Sequence, residues 1–213
     1  MFWHEVSSLM VSDDTYKTIK SLSQGSYKEK GSRFIAYASP VSSLEEIKPI
    51  LDDYRKKYYD AKHHSYAYLI GFERSVWRAN DDGEPSGTAG KPILGQINSF
   101  GITNILIVVI RYFGGTLLGT SGLINAYKTA AYEAIINAEI IACTIKNYYR
   151  IEFDYSSINN VMKILKDENI DQSDQIFGLD CSINISFRLS ATDNILKRFS
   201  GIENIKLTII GTH

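Results

Sequence analysis

Cysteine is scarce: Cys143 and Cys181 are the only two, they lie far apart, and neither sits in a CxxC spacing. That argues against a disulfide scaffold or a cysteine-based zinc site and fits two buried thiols in a reducing compartment. Net charge is almost absent at −1, so there is no global basic field of the kind that binds nucleic acid indiscriminately. Any nucleic-acid contact has to be local. Long hydrophobic runs are missing too; the longest, Ile105 to Ile110, is far too short to span a bilayer, and the first residues lack the basic and apolar regions of a signal peptide. A cytoplasmic location and no membrane partner are the expectation. No HExxH, Walker A or dinucleotide fingerprint occurs, since Gly87-Thr88-Ala89-Gly90-Lys91-Pro92 is not GxxxxGK[ST], and Ser86 has no evident Ser-His-Asp spacing. Catalysis thus lacks positive support, and neither a metal nor a cofactor is expected.

What is present reads as two mixed domains. With 44% hydrophobic and 22% charged residues in a chain of 213, each half can bury its own core. Residues 1–14 read as an extension, 15–143 as a first domain and 147–213 as a second. Between Thr15 and Val41 two strands are expected, then an amphipathic helix opened by a capping box at Ser42 and Glu45 or Ser43 and Glu46, with Pro49 kinking it or shifting its start. His63 to Phe72 alternates as a strand, with Val76 to Ala79 returning as its hairpin partner. A helix follows from near Lys91 to Phe100. The β-branched run from Thr103 to Ile110 predicts a strand buried on both faces, which something must cover. Leu123, Ala126, Tyr127, Ala130, Ala131 and Ala134 recur at helical spacing on one face. After Lys146 the pattern restarts as β-α-β-β-α-β, the ferredoxin-like split motif.

The most specific stretch is Asn80 to Tyr127, where two glycine-rich, charge-flanked turns each precede a helix start. Unpaired amides and the helix dipole there favour an anion such as phosphate or carboxylate. Ser86, Thr88 and Lys91 border the first turn; Arg111, Tyr112, Gly114, Gly115, Gly119 and Gly122 form the second. Each has a plainer reading. The glycines serve tight turns and close packing as well as anion cradles, and Arg111 can pair with Asp81 or Glu84 as readily as with a phosphate or a stacked base. Asp81, Asp82 and Glu84 fit either a metal or acid–base role or turn formation at Asp82-Gly83. Adjacent His63 and His64 point to opposite faces of a strand and fit core or surface histidines. Upstream, Lys17, Lys20, Lys28, Lys30 and Arg33 face a single acid, Glu29, between Thr15 and Phe34. That run is either a solvated strand face or a local nucleic-acid contact.

Asp81-Asp82-Gly83-Glu84-Pro85-Ser86-Gly87-Thr88-Ala89-Gly90-Lys91-Pro92-Ile93-Leu94 and Arg111-Tyr112-Phe113-Gly114-Gly115, followed by Leu118-Gly119 and Ser121-Gly122-Leu123, resemble the two signatures of the YigZ/IMPACT family. Gly31-Ser32-Arg33-Phe34-Ile35-Ala36 resembles its second-strand motif, and the likeness extends over nearly everything after Thr15. The chain departs at Lys62-His63-His64-Ser65-Tyr66-Ala67-Tyr68, where many relatives carry a His-Asn-Cys-type sequence. The resemblance implies an α+β fold. Its first domain would be a left-handed β-α-β unit similar to the fourth domain of elongation factor G and the second domain of ribosomal small-subunit protein five. The tail would be similar to elongation factor G's fifth domain. It further implies translation-linked regulation through RNA, the ribosome or a translation factor. Two alternatives stand beside this: a phosphate- or nucleotide-binding enzyme built on the motif loops, and a protein-interaction module in which a partner or second copy covers the doubly apolar strand. Neither the ligand nor the oligomeric state is legible in the pattern.

Overall fold

The computed structural model describes residues 14–213, which divide into two compact units, Tyr16–Cys143 and Thr144–His213, the latter including Asp14 and Thr15. The expected N-terminal extension lies outside the described residues except for Asp14. That residue is buried and accepts a hydrogen bond from Ser190 Oγ at 2.5 Å.

Three strands, not two, precede the first helix: β1 (Thr15–Ile19), β2 (Ser23–Glu29) and β3 (Ser32–Pro40). The extra strand escapes periodicity because β1 is short, half polar and pairs elsewhere, with the equally short β7 (Ile140–Thr144). Helix α1 (Ile47–Lys57) starts late enough to put Pro49 in its first turn, where a missing N–H costs nothing. Ser42 Oγ and N both donate to Glu46 Oε1, at 2.6 and 3.2 Å, a spacing of four residues where either expected box has three, and Glu46 is itself the N-cap residue and makes no side-chain cap bond.

β4 (His63–Ile70), β5 (Val76–Asn80), α2 (Gly90–Ser99), β6 (Ile105–Tyr112) and α3 (Gly119–Ile136) complete the unit. The sheet has the order β2-β3-β6-β4-β5, with every neighbouring pair antiparallel. β6 is central and buried on both sides, as a β-branched strand must be. Leu106, Val108 and Ile110 pack with Ile47 and Leu51 of α1, while Ile105, Ile107 and Val109 pack with Ile93, Ile97 and Ala130 from α2 and α3. The chain's own helices therefore cover both faces, which corrects the expectation that a partner or second copy is needed there.

In the second unit β8 (Lys146–Asp154), α4 (Ile158–Asp167), β9 (Asp171–Ile176), β10 (Asp180–Arg188), α5 (Thr192–Phe199) and β11 (Ile205–Thr212) run β-α-β-β-α-β. Its antiparallel sheet has the order β11-β8-β10-β9. Ile151 and Phe153 of β8 and Cys181, Ile183 and Ile185 of β10 face Val161, Leu165, Ile195 and Phe199 of the helices. Both units are thus mixed α and β with antiparallel sheets. Among the described residues no helix is long and apolar enough to cross a membrane.

The alanine face of α3 lets that helix sit on β2 with no room to spare. A Cβ on Gly25 would lie 2.2 Å from the Ala134 backbone nitrogen. Gly25→Ala is therefore expected to cost about 3 kcal/mol or more, read as a drop in the denaturation midpoint of the purified protein; a change within ~0.5 kcal/mol would mean that α3 is free to shift.

Candidate functional site

Antiparallel register gathers the motif residues at one end of the five-stranded sheet. Arg111 near the end of β6 lies opposite Phe34 on β3 and His63 on β4, so the three side chains share the α2/α3 face. Next to them, Arg33 faces Tyr112 across the strands and Lys28 across the β2–β3 hairpin, on the α1 face. The turn of that hairpin is Lys30-Gly31, both residues at positive φ, as a two-residue turn requires. It touches the loop after β6: a Cβ on Gly114 would fall 1.9 Å from the Gly31 carbonyl carbon, and Gly114 N donates to Ser32 Oγ at 3.2 Å. Gly114 is therefore required for packing. Gly115 and Gly119 have positive φ with open space at their Cβ positions, and a Cβ on Gly122 would lie 3.0 Å from Leu118 Cβ.

The three acids do three separate jobs. Asp81 caps α2: Oδ1 accepts from Ala89 N at 3.0 Å and Gly90 N at 2.8 Å, and Oδ2 accepts from Gly87 N at 2.8 Å. Burial by itself would raise its pKa, but these amides, with Lys91 nearby, outweigh it and hold the carboxyl below its usual range. The amides expected to be free for an anion at the α2 start are thus already occupied, from within the chain. Asp82 and Gly83 are the positive-φ pair of a turn closed by Glu84 N to Asp81 O at 3.0 Å, and Asp82 Oδ2 accepts from His64 N at 2.7 Å. Arg55 lies 3.5 Å from the other Asp82 oxygen. Glu84 is buried, and its Oε1 takes Arg111 Nη1 at 2.6 Å and the Tyr127 hydroxyl at 2.8 Å. Among the described residues no group of three His, Cys, Asp or Glu side chains is placed to hold a metal ion.

Of the two readings of Arg111, the ion pair to Glu84 is the arrangement found. The guanidinium also lies over the rings of Phe34 and Phe113, at 5.5 and 5.6 Å. Tyr127, His63 and Ser65 join it, although none was among the site candidates. Ser65 Oγ donates to Asp81 O at 2.8 Å, His63 Nδ1 is 2.8 Å from Asp82 O, and His63 Nε2 is 3.9 Å from Glu84. Tyr127 is hidden in sequence by its place on an apolar helix face; only its hydroxyl among alanines hinted at a buried polar partner. Burial, reinforced by Glu84, drives its phenol pKa far up, so it is a permanent donor. Thr88 Oγ1 donates to Pro85 O at 2.6 Å, while Ser86 and Lys91 are exposed.

Behind this network, on the α2/α3 face, a cavity of about 350 Å³ opens beside Arg111, Phe113 and the first residues of α3. On the α1 face a groove of about 400 Å³ is lined by Arg33, Tyr37, Tyr58, Asp60 and Tyr112.

Comparison with known proteins matches residues 30–135 to the Impact N-terminal domain. The IMPACT family member YvyE of Bacillus subtilis is 33% identical over 153 residues, 72% of this chain and 70% of that protein. The IMPACT family member YigZ of Escherichia coli is 35% identical over 138 residues, 64% of this chain and 68% of its own. A crystal structure of a hypothetical protein superposes with a TM-score of 0.71 at 25% identity, covering 93% of this chain and 98% of that one.

Two outcomes follow from the geometry. Asp81→Ala strands three amides and is expected to destabilise by about 2–3 kcal/mol in chemical denaturation, with Asp81→Asn losing less. His64 is buried, and desolvation, with Asp82 opposing it, lowers its pKa below the ordinary 6.5. The unfolded chain therefore takes up the proton first, and His64 contributes stability above pH 6.5 that is lost as pH falls through the lowered value. His64→Gln should flatten the stability profile between about pH 7 and 5; an unchanged slope would show that other groups carry it.

Proposed function

This chain belongs to the IMPACT family, and from that membership we propose that it is a translation-linked binding protein whose 16–143 unit engages RNA on the ribosome or beside a translation factor. In this reading the first unit is the counterpart of elongation factor G's fourth domain and the second of its fifth. The observation that carries the reading is the α1-face groove, where aromatic rings and cations alternate. The half-buried rings of Tyr58 and Tyr112 line it with Arg33, over the buried ring of Tyr37, which is already stacked on Tyr54. The ammonium of Lys57 lies 5.5 and 5.4 Å from the ring centres of Tyr37 and Tyr58, and exposed Lys28 stands opposite Arg33. Rings that accept stacked bases beside cations that take phosphates are the recurring chemistry of single-strand recognition.

The wider end of the sheet reinforces the groove. Lys30 in the hairpin turn and Arg55, Lys56 and Lys57 in the last turn of α1 are all exposed. These cations come from two separate segments, so a chain with almost no net charge still concentrates positive charge locally. Asp60 is the countercharge within the groove, and it accepts from the Tyr112 hydroxyl at 2.8 Å. It fixes the ring at the cost of one acid near the phosphate path.

The test is binding of a mixed-sequence single-stranded RNA to the full chain at several salt concentrations. Replacing Lys28 and Arg33 together with Ala is expected to weaken binding and to reduce the slope of log K against log salt by about 1.4. Thermal stability should be unchanged, since both side chains are exposed. An unchanged slope, or no salt-dependent binding in the parent protein, would overturn the reading.

A further inference from the structure

The cavity on the α2/α3 face is separated from the tyrosine groove by the sheet itself and has a different chemistry. Its walls are apolar: Phe113 and Leu117 at the mouth, Leu118 and Leu123 deeper in. Phe113 and Leu117 are exposed, Leu117 at 83%, an unusual loss for two large apolar side chains on one short loop. Gly119 and Thr120, the first two residues of α3, also line it, and this helix has neither a cap from its N-cap side chain nor an acidic residue in its first turn. The positive end of an 18-residue helix dipole thus has no acidic residue of its own first turn beside it.

Arg111 is the second and independent observation. It is 6% exposed and lines the same cavity; Nη1 goes to Glu84, while Nε is buried with no hydrogen-bond partner among the described residues. Nε is shielded from the cavity by its own burial, so what Arg111 presents there is the remainder of its side chain, fixed in place by the Glu84 ion pair. Lys62 and Arg111 against Glu84 give the lining one net positive charge, His63 left aside. A cavity of about 350 Å³ is at the lower end of the size range for small-molecule sites.

We propose that this cavity is a binding site for an apolar monocarboxylate, its carboxylate held between Arg111 and the amides that open α3, and its hydrocarbon part against Phe113, Leu117, Leu118 and Leu123. One negative charge matches the net lining charge, whereas the mostly apolar walls offer too few donors for a polyphosphate. The same chemistry is carried by a free medium-chain acid and by a chain terminus that ends in leucine.

The experiment is an amide-resolved NMR titration of the full chain with octanoate and with a tetrapeptide ending in a free leucine carboxylate. Octanol and the peptide's C-terminal amide serve as the neutral counterparts. Saturable shifts at Leu118, Gly119 and Thr120, with the neutral compound at least tenfold weaker, are expected for one of the two acids. Which acid binds assigns the source. Leu117→Asp places a negative charge at the mouth on an exposed position, so it should weaken the acid at least fivefold with no change in melting temperature. Arg111→Met paired with Glu84→Met removes the guanidinium without stranding a buried carboxylate and should abolish the preference for the acid. Equal binding of acid and neutral compound, saturable shifts elsewhere only, or no binding of either acid would overturn the assignment. The RNA reading stands or falls separately, on Lys28 and Arg33.

Discussion

The Glu84 carboxylate is the point where the first unit is tied together. Arg111 brings the central strand to it, Tyr127 brings α3, and His63 approaches from β4. Glu84 itself arrives on the turn that follows the edge strand β5. A carboxylate with so little exposure is expensive to hide, and only the full set of donors makes its position tolerable. Replacing any single donor would leave the charge under-satisfied, whereas an apolar cluster of the same volume could be just as stable. What the network adds is specificity: it fixes which loop meets which strand end. The edge-on contact of Phe34 with Tyr127, ring centres 5.1 Å apart, continues the same junction into the core.

Around that junction the acidic and glycine-rich residues divide into structural roles and accessible ones. Asp81 serves α2, Asp82 its turn and the His64 amide, and Gly114 the contact with the hairpin. Their chemistry is spent inside the fold. What is left facing outward is the set of exposed cations around the tyrosine groove, the start of α3 and the apolar loop residues Phe113 and Leu117. The two faces of one sheet end thus present different surfaces, one aromatic and basic, the other apolar with a single buried cation.

Much of this architecture is legible in the chain itself. The β-branched run Ile105 to Ile110 declares a doubly buried strand, because only that environment rewards apolar residues at every position. The alanine spacing of α3 declares a helix that lies close to its sheet, and alternation after Lys146 declares the second unit. β1 and β7 were not legible, since strands of five residues that pair over a distance of more than a hundred residues leave no periodic trace. Nor was the covering of β6, because a sequence shows that a face must be buried without showing by what.

The sequence by itself determined most of the segments that become strands and helices, β1 and β7 excepted, and where the turns between them fall. Local preference and hydrophobic period act over a few residues, and those decisions need no more. Only the tertiary structure decided that Asp81 would satisfy the amides of α2 and leave those of α3 open. Likewise only packing decided that Arg111 would spend one nitrogen on Glu84 and leave another without a partner. Both outcomes depend on which donors and acceptors arrive within about 3 Å of each other. That distance is set by the register of distant strands and the seating of helices on a sheet, which no local pattern encodes.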